Sequence, residues 1–531
     1  MDKNNTAQVL LLNQYFTSKP DMSEGFMASM PLNMLYLASY LNSNGKNCKI
    51  YELGIFDYKD AFVDGDRIRF GISDEKIVEI IKKENPILVG VSCMYSRHYL
   101  DIIAIADLIK KVNPKIKIVT GGNHASIFSE MVLKNNSFDF VVRGEGEETL
   151  LELTRAVTRG EMDFSGIQGL AYKDRNERII INKSRALIRN LDTLPLPDYS
   201  LLEVKKYSSL SYKSPYLMRY PSVGVMSSRG CPGNCKFCTV KAVWGRTWRG
   251  KSAGKVVDEI EILHKQYGIH EFSFLDDSAA INKRRWAAIS DEIIKRKLDI
   301  KWSTPNGIAH WTLDKPLLVK MKKAGCYRIT FGIESGNLKT REYIDKRHSL
   351  DQAKEMIRYA NQIGMWTICT HILGFPYETR EQIQDTVQFA KRSGTDFAAF
   401  FTLAPQPTSD VYNDFKKEGL LNFDDVLNSS EIDPAKYEEV YRLLNDGGSP
   451  TTHFTSAEIK KIHLEAYRDF LIYRALSFLN PYRILRKIRS VEDCRYALRL
   501  ISTGVELVFK SFYVKSTKAL LYRGSSLKSS S

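Results

Sequence analysis

Three cysteines lie close together in the run 228–239, at positions 231, 235 and 238. The spacing C-x3-C-x2-C supplies three thiolates from one short loop. An iron–sulfur cube normally takes four cysteine ligands, so a cube held by three leaves one iron with an open position. Open positions let catalytic metal sites bind a substrate or cosubstrate directly. The run therefore predicts a catalytic [4Fe-4S] centre held by Cys231, Cys235 and Cys238.

A zinc knuckle and a set of unrelated buried thiols are the alternatives for this run. A zinc site needs a fourth cysteine or histidine nearby, and none lies between Tyr220 and Lys255. Both alternatives are therefore disfavoured. We interpret the five scattered cysteines as small buried apolar residues; they are Cys48, Cys93, Cys326, Cys369 and Cys494.

The cysteine run resembles the signature of the radical S-adenosylmethionine (SAM) enzymes. In that family SAM binds the fourth iron through its amino and carboxylate groups, and an electron from the cluster converts it to a 5′-deoxyadenosyl radical. The resemblance implies that Phe237, the aromatic residue before the last cysteine, lies beside the adenine. It also implies that Glu334 and Ser335, which follow Gly332, contact the ribose or the methionyl part of SAM. A structural salt bridge is the alternative role of Glu334.

Two further predicted strand ends carry candidate SAM-binding residues. Asp276 and Asp277 form a carboxylate pair that could bind SAM or orient a neighbouring cation. The resemblance implies that His371 and Gly374 flank the adenine, although His371 fits a core position equally well.

Strand and helix patterns alternate over residues 222–405, and polar or glycine residues follow each strand. Such residues build the sites of parallel barrels. Six units suit a partial (β/α)6 TIM-like barrel, the fold that the resemblance implies. The predicted strands are 222–226, 271–275, 301–304, 327–331, 367–372 and 397–403.

Strand and helix patterns also alternate over residues 8–153, which predicts a doubly wound, Rossmann-like parallel sheet. Ligands of such sheets bind at the carboxyl ends of the strands. The predicted strands are 9–12, 49–53, 87–92, 116–120 and 139–142, and the loops at their carboxyl ends contain the candidate residues Ser92, Gly121, Gly122, His124, Gly144 and Glu145.

This stretch resembles the cobalamin (B12)-binding domain that precedes many radical SAM barrels. The matching segments are 30–41, 121–126 and 143–147. One element is missing, because the chain has no D-x-H-x-x-G motif, whose histidine coordinates cobalt in some of these domains. His124 is a weak substitute, since histidines in loops more often pack or form hydrogen bonds.

The patterns predict four segments. A cobalamin-binding domain at 1–165 is followed by a hairpin and linker at 166–210, the radical SAM barrel at 211–430, and a basic helical region at 431–531 whose tail 524–531 is disordered. In the last region, apolar residues spaced three and four apart form one helix face: Leu498, Ile501, Val505, Val508 and Phe512.

Composition narrows the location and the partners. The 531 residues carry a net charge of +15. The N-terminus has no apolar signal core and no apolar run is long enough to span a bilayer; with a cluster that needs a reducing compartment, a cytoplasmic enzyme is expected. The basic C-terminal region could cap the barrel, contact an anionic membrane or bind nucleic acid, and nucleic acid is the least favoured of the three.

The resemblances together imply a cobalamin-dependent radical SAM enzyme. Its expected reaction is methylation of an unactivated carbon in a small-molecule or lipid substrate, with a flavodoxin- or ferredoxin-type electron donor. Radical cyclisation or other carbon–carbon bond formation is one alternative. A tRNA methylthiotransferase is another, although it would carry three more cluster cysteines near its N-terminus. A sensor that binds SAM and cobalamin without cleaving SAM is the non-enzymatic alternative.

Overall fold

The structure is a computed structural model that describes residues 7–19, 28–427, 429, 432–446, 448–478 and 480–513. The tail 524–531, predicted to be disordered, lies outside these residues. Within them the chain divides into two compact units, one formed by 7–207 with 423–441 and the other by 208–422 with 442–513.

The elements are numbered along the chain. The strands are β1 Val9–Asn13, β2 Phe16–Ser18, β3 Cys48–Glu52, β4 Phe62–Asp64, β5 Arg67–Phe70, β6 Leu88–Ser92, β7 Lys117–Gly121, β8 Phe140–Val142, β9 Leu170–Lys173, β10 Ile179–Ile181, β11 Ser222–Val225, β12 Ser228–Arg229, β13 Arg249–Gly250, β14 Glu271–Phe274, β15 Lys301–Ile308, β16 Cys326–Glu334, β17 Trp366–Leu373 and β18 Phe397–Thr402. The α-helices are α1 Leu32–Ser43, α2 Asp74–Glu84, α3 Tyr99–Val112, α4 Asn123–Ile127, α5 Ser129–Lys134, α6 Glu147–Thr158, α7 Val204–Ser209, α8 Val240–Trp244, α9 Ala253–Tyr267, α10 Lys283–Lys295, α11 Lys315–Lys323, α12 Leu338–Tyr343, α13 Leu350–Gln362, α14 Arg380–Arg392, α15 Asp410–Lys417, α16 Asp424–Leu427, α17 Pro434–Asp446, α18 Ser456–Phe478, α19 Tyr482–Leu485 and α20 Val491–Tyr513.

The first unit is built on a sheet in the order β10-β9-β8-β7-β6-β1-β3. The run from β8 to β3 is parallel. Numbered along the chain, these five strands lie in the order 2-1-3-4-5 of a flavodoxin-like doubly wound fold, whose ligand crevice lies where the order reverses, between β1 and β6. The predicted Rossmann-like fold is confirmed, and its five strands lie within a few residues of their predicted positions.

The predicted hairpin is part of this sheet. Its strands β9 and β10 pair antiparallel, and β9 pairs antiparallel with β8. The Asp174 carboxylate fixes the turn by accepting hydrogen bonds from the backbone N–H groups of Asn176 at 2.8 Å and Arg178 at 2.9 Å. The first unit therefore continues beyond the predicted domain end at residue 165.

The second unit is built on a sheet of six parallel strands in the order β11-β14-β15-β16-β17-β18. The helices α9, α10, α11, α13 and α14 alternate with these strands along the chain. Trp286 of α10 packs against Trp302 of β15 with 5.3 Å between ring centroids, and both are fully buried. The predicted (β/α)6 architecture is confirmed.

The described part of the C-terminal region is helical. Residues up to 441, which include most of α17, belong to the first unit, and α18 and α20 pack on the barrel of the second unit. α18 buries one face against β18 and α14. α20 buries Tyr496, Ala497 and Leu500 in a cluster with Tyr327 and Trp366. In the described part of the chain, no helix is long and apolar enough to cross a membrane.

Candidate active site

The cysteine loop follows β12 at the carboxyl edge of the barrel. Cys231, Cys235 and Cys238 are all partly exposed. Gly230 has a φ of +81°, and a Cβ there would collide with the Thr247 carbonyl oxygen. Its backbone N–H donates to the Asp277 carboxylate at 3.1 Å. Glycine is required here because the chain turns sharply into the loop.

The donor set of this loop suits an iron–sulfur cluster. The Gly233 N–H donates to the Cys231 Sγ at 3.4 Å, and a Cβ on Gly233 would lie 3.3 Å from that sulfur and 3.9 Å from the Cys235 Sγ. The thiols therefore crowd around a backbone without a side chain. N–H groups directed at sulfur are a feature of cluster sites.

Two of the three thiols are shifted toward their neutral form. Burial is the main cause that raises the pKa of Cys235 and that brings the pKa of Cys238 to about 11, and the neighbouring thiols contribute to both rises. Bound iron would favour the thiolates. Within the described residues no group of three His, Cys, Asp or Glu side chains is arranged around one metal ion.

A cavity of about 410 Å³ lies at the carboxyl ends of β15 to β18. Phe237 of the cysteine loop lines it, so the cavity lies beside the cluster loop. Glu334 and Thr370 contribute polar groups to its wall. Its other lining residues are Pro305, Asn306, Ile372, Phe401, Thr402, Leu403 and Ala404.

Glu334 is held in an unusual backbone conformation, with a φ of +66°. The guanidinium of the buried Arg341 donates to the carbonyl oxygens of both flanking residues, Ile333 at 2.7 Å and Ser335 at 3.3 Å. The Lys346 ammonium donates to the Glu334 Oε1 at 2.8 Å. A Cβ on Gly332 would lie 2.9 Å from the same oxygen. Non-glycine residues with positive φ concentrate at functional sites, because the strain must be offset by surrounding contacts.

The structure brings Phe237 and Glu334 together at the cavity, but it directs other predicted SAM-binding side chains elsewhere. Ser335 is fully buried and its hydroxyl lies 3.0 Å from that of Thr386. Asp276 is also buried and accepts hydrogen bonds from the hydroxyls of Ser227, at 2.7 Å, and Ser228. Asp276 therefore braces the chain just before the cysteine loop.

His371 lies on the face of β17 opposite to the cavity. Successive strand residues point to opposite faces, and Thr370 and Ile372 line the cavity. The His371 ring packs on Phe400 with 5.2 Å between centroids. Burial lowers the pKa of His371 to about 3, so the ring is neutral. Of the two alternatives for His371, its burial and packing favour the core position.

The Gly374 turn is closed by a carboxylate that the sequence analysis missed. The Glu378 Oε2 accepts hydrogen bonds from the backbone N–H groups of Gly374 at 2.8 Å and Phe375 at 3.3 Å. The Phe375 ring lies 6.1 Å from that of Phe237. Glu378 therefore supports the wall behind the predicted adenine position. The signal in the sequence was a glutamate four residues after a glycine, too common to single out.

Replacing Glu378 with glutamine is expected to flatten the pH dependence of stability. Burial raises the pKa of the Glu378 carboxyl to about 8. The folded chain therefore holds a proton that the unfolded chain releases above its ordinary pKa of about 4.5. Stability should fall by about 1.4 kcal/mol per pH unit over this window relative to Glu378→Gln. Thermal unfolding midpoints of the wild type and of Glu378→Gln, measured between pH 4.5 and pH 8, test the difference in slope. The control is Glu381→Gln, at an exposed position of α14, which should keep the wild-type slope.

In the first unit, the loops after β6 and β7 approach each other closely. A Cβ on Gly122, whose φ is +104°, would lie 2.8 Å from the Cys93 carbonyl oxygen. A Cβ on Gly121 would lie 3.2 Å from the Val142 carbonyl oxygen. The Ser92 hydroxyl accepts a hydrogen bond from the Asn33 amide at 3.0 Å. The glycines thus flatten the edge beside the β1–β6 crevice, which a large planar cofactor requires.

Three other predicted cobalamin-binding residues have structural contacts. The His124 ring is buried, with its Nδ1 2.7 Å from the Ser96 hydroxyl and its centroid 4.7 Å from that of Tyr99. The Glu145 carboxylate accepts a hydrogen bond from the Ile188 N–H at 2.7 Å. The Gly144 N–H donates to the Ser126 hydroxyl at 3.0 Å. These contacts favour packing over cobalt ligation for His124.

A helix from beyond the barrel contributes to the same edge of the first unit, which sequence reasoning missed. Tyr437 of α17 is buried, and its hydroxyl donates to the Ser96 carbonyl oxygen at 2.9 Å. Its ring lies 5.8 Å from that of Tyr99. Glu438 pairs with Lys19 at 3.2 Å and with Arg67. The contacts join residues more than 300 positions apart, and no local pattern predicts them.

Two family models match the chain. The radical SAM superfamily matches residues 225–390, which contain the cysteine loop, and the B12 binding domain matches residues 28–154. The fold and the site thus define a radical SAM barrel with a cobalamin-binding domain ahead of it in the chain.

Relatives extend over most of the sequence. An uncharacterized methyltransferase of Pyrococcus horikoshii is 34% identical over 83% of this chain and 88% of its own length. Cytidylyl-2-hydroxyethylphosphonate methyltransferase of Streptomyces wedmorensis is 30% identical over 79% of this chain and 84% of its own. The solved structure of the radical SAM methyltransferase TsrM from Kitasatospora setae, with cobalamin and a [4Fe-4S] cluster bound, covers 78% of this chain and 75% of its own, with a TM-score of 0.63 at 16% identity.

The chain belongs to the cobalamin-dependent radical SAM methyltransferase family. Its predicted identity as an enzyme is confirmed at the level of this family. The predicted cofactors, a [4Fe-4S] cluster, SAM and cobalamin, are likewise those of the family.

Proposed function

We propose that the protein methylates an unactivated carbon of a small-molecule or lipid substrate. The observation that carries the proposal is the position of Phe237, which belongs to the cysteine loop and also lines the cavity that Glu334 enters. A SAM molecule bound at the open iron would extend into this cavity. A matched B12 binding domain in the same chain adds a carrier for the methyl group.

The bound cofactors would supply a hydrogen-abstracting radical and a transferable methyl group. The role of the chain is to position them. The Glu334 carboxylate can accept hydrogen bonds from a ribose hydroxyl or an ammonium, and Lys346 and Arg341 fix its orientation. Phe237, Ile372 and Leu403 add apolar side chains to a cavity wall that also carries polar groups.

Methyl transfer is favoured over cyclisation because both relatives reported above, at 34% and 30% identity, carry methyltransferase names. Three relatives named anaerobic magnesium-protoporphyrin IX monomethyl ester cyclase are 27–29% identical. The substrate class rests on composition alone. The aromatic and basic C-terminal region favours a hydrophobic or lipid substrate. Radical cyclisation uses the same cofactors and is the second candidate, distinguished by the products formed from SAM.

The test is to reconstitute the chain anaerobically with iron, sulfide and hydroxocobalamin, desalt it, and supply reductant and SAM. We expect about one cobalt per chain. We also expect S-adenosylhomocysteine, the product of methyl loss from SAM, beside 5′-deoxyadenosine, the product of radical cleavage. Formation of 5′-deoxyadenosine without S-adenosylhomocysteine would favour the cyclase. Absence of cobalt in a chain with a full cluster would overturn the role of cobalamin.

The proposed location is the cytoplasm, where a reducing environment preserves the cluster, with peripheral contact at the membrane through the C-terminal region. The proposed electron donor is of the flavodoxin or ferredoxin type. The electron-donor proposal is tested by mixing the enzyme with a reduced, purified flavodoxin and following the visible absorbance of the cluster. Bleaching of the cluster absorbance would support the proposal, and an unchanged absorbance would contradict it.

A further inference from the structure

The last long helix, α20, presents an apolar stripe to the outside of the second unit. Its exposed apolar residues are Val491, Leu498, Ile501, Val505 and Phe509. They recur at intervals of three, four and seven residues, so they share one helix face. At 1.5 Å per residue the stripe runs for about 27 Å.

Leu498, Ile501 and Val505 of this stripe belong to the face that the sequence marked as apolar. The side chains of Val508 and Phe512, the other two residues of that face, lie outside the described part of the chain. The side chains of α20 that pack inward are others, with Tyr496, Leu500 and Thr503 buried. Leu498 is 61% exposed and Val505 is 50% exposed. A different face of α20 therefore packs against the barrel, and the apolar stripe does not take part in that contact. Capping the barrel alone therefore does not explain the stripe.

Charges around the stripe favour an anionic partner. The exposed Arg495 and the partly exposed Glu506 lie along one flank of the stripe. Glu492 is engaged by Arg219 at 2.5 Å, and Asp493 caps the start of the helix by accepting from the Arg489 N–H at 3.0 Å. The sequence contains no acidic residue after Glu506, whereas five basic ones follow it: Lys510, Lys515, Lys518, Arg523 and Lys528.

We propose that the α20 stripe docks the enzyme on an anionic lipid bilayer. Interfacial helices combine an apolar face, which enters the acyl boundary, with basic residues that bind anionic headgroups. Nucleic acid would require a polar, phosphate-binding face instead. A second copy of the chain would bring two basic segments together, which charge repulsion opposes. The proposal deepens the peripheral location proposed above, and it does not depend on the methyl-transfer chemistry.

The experiment is co-sedimentation of the full chain with sucrose-loaded vesicles. One set is phosphatidylcholine alone and the other contains an equal part of phosphatidylglycerol. We expect binding to the anionic vesicles only, weakening as salt is added. The double variant Leu498→Glu/Val505→Glu should bind at least about tenfold more weakly than the wild type, because it removes apolar contacts and adds negative charge.

The matched control is Val63→Glu/Met162→Glu, which changes two apolar residues that are 76% and 54% exposed in the first unit. It should bind like the wild type. The proposal is overturned if the wild type stays in the supernatant with anionic vesicles, or if the α20 variant sediments as well as the control. If neither protein binds vesicles and the wild type forms a dimer that the α20 variant does not form, the stripe serves self-association instead. Far-ultraviolet circular dichroism, which reports both units, checks that each variant is folded, and no outcome requires SAM or cobalt.

Discussion

Replacing Cys235 with alanine is expected to reduce reductive cleavage of SAM to less than about a thousandth of the wild-type rate, with bound cobalamin unchanged. The loop carries three thiols, and a cube that loses one of them has no replacement ligand from the buried cysteines of the barrel. The cobalamin-binding residues belong to the other unit of the chain. Iron and sulfide content, 5′-deoxyadenosine formation and the cobalt assay measure the three quantities separately.

Cys494→Ala is the matched control, because Cys494 is the other partly exposed cysteine of the described residues and lies outside the loop. It should retain the cluster, SAM cleavage and cobalt. Full cleavage by Cys235→Ala would contradict the assignment of the loop. Loss of cobalt together with the cluster would contradict two separable sites.

The regular elements could be predicted from the sequence because each reflects a local pattern. β1 is a run of apolar residues buried on both faces, as central parallel strands require. The cysteine loop was predictable because its ligands are only three and four residues apart. The position of Phe237 beside the cysteine loop was predictable for the same reason, since Phe237 adjoins the last cysteine in the sequence.

The remainder of the site depends on contacts between distant positions. The role of Glu334 at a strand end was predicted, but the support from Arg341 and Lys346 depends on how α12 and the segment after it fold back. His371 shows the limit of such predictions, because a shift of one residue along a strand moves a side chain to the other face. The sequence marked the end of β17 correctly, but it did not determine which residues there face the cavity.

Replacing Lys487 with alanine is expected to destabilise the second unit by about 3–5 kcal/mol, because it removes the hydrogen-bonded cation from a buried carboxylate. Of its ion-pair contacts in the described part of the chain, the Asp396 carboxylate would keep only the longer one with Arg483, at 3.9 Å. The Lys487 ammonium is buried and donates to the Asp396 Oδ2 at 2.7 Å, the Asn361 Oδ1 at 2.5 Å and the Met365 carbonyl oxygen at 2.6 Å. Asp396 immediately precedes β18, whose end lines the cavity. This buried contact therefore joins the C-terminal region to the strand that completes the active site.

The measurement is urea unfolding followed by tryptophan fluorescence. All six tryptophans lie between residues 244 and 366, so the signal reports the second unit alone. Lys391→Ala is the control, because its partner Asp469 is half exposed and such pairs contribute about 1 kcal/mol or less. Lys487→Met with Asp396→Asn should recover part of the loss, since both charges of the Lys487–Asp396 pair are removed together. The asparagine can still accept from the Thr367 N–H, which lies 2.8 Å from the Asp396 carboxylate. Equal destabilisation by Lys487→Ala and the control would show that the buried pair does not hold the C-terminal region on the barrel.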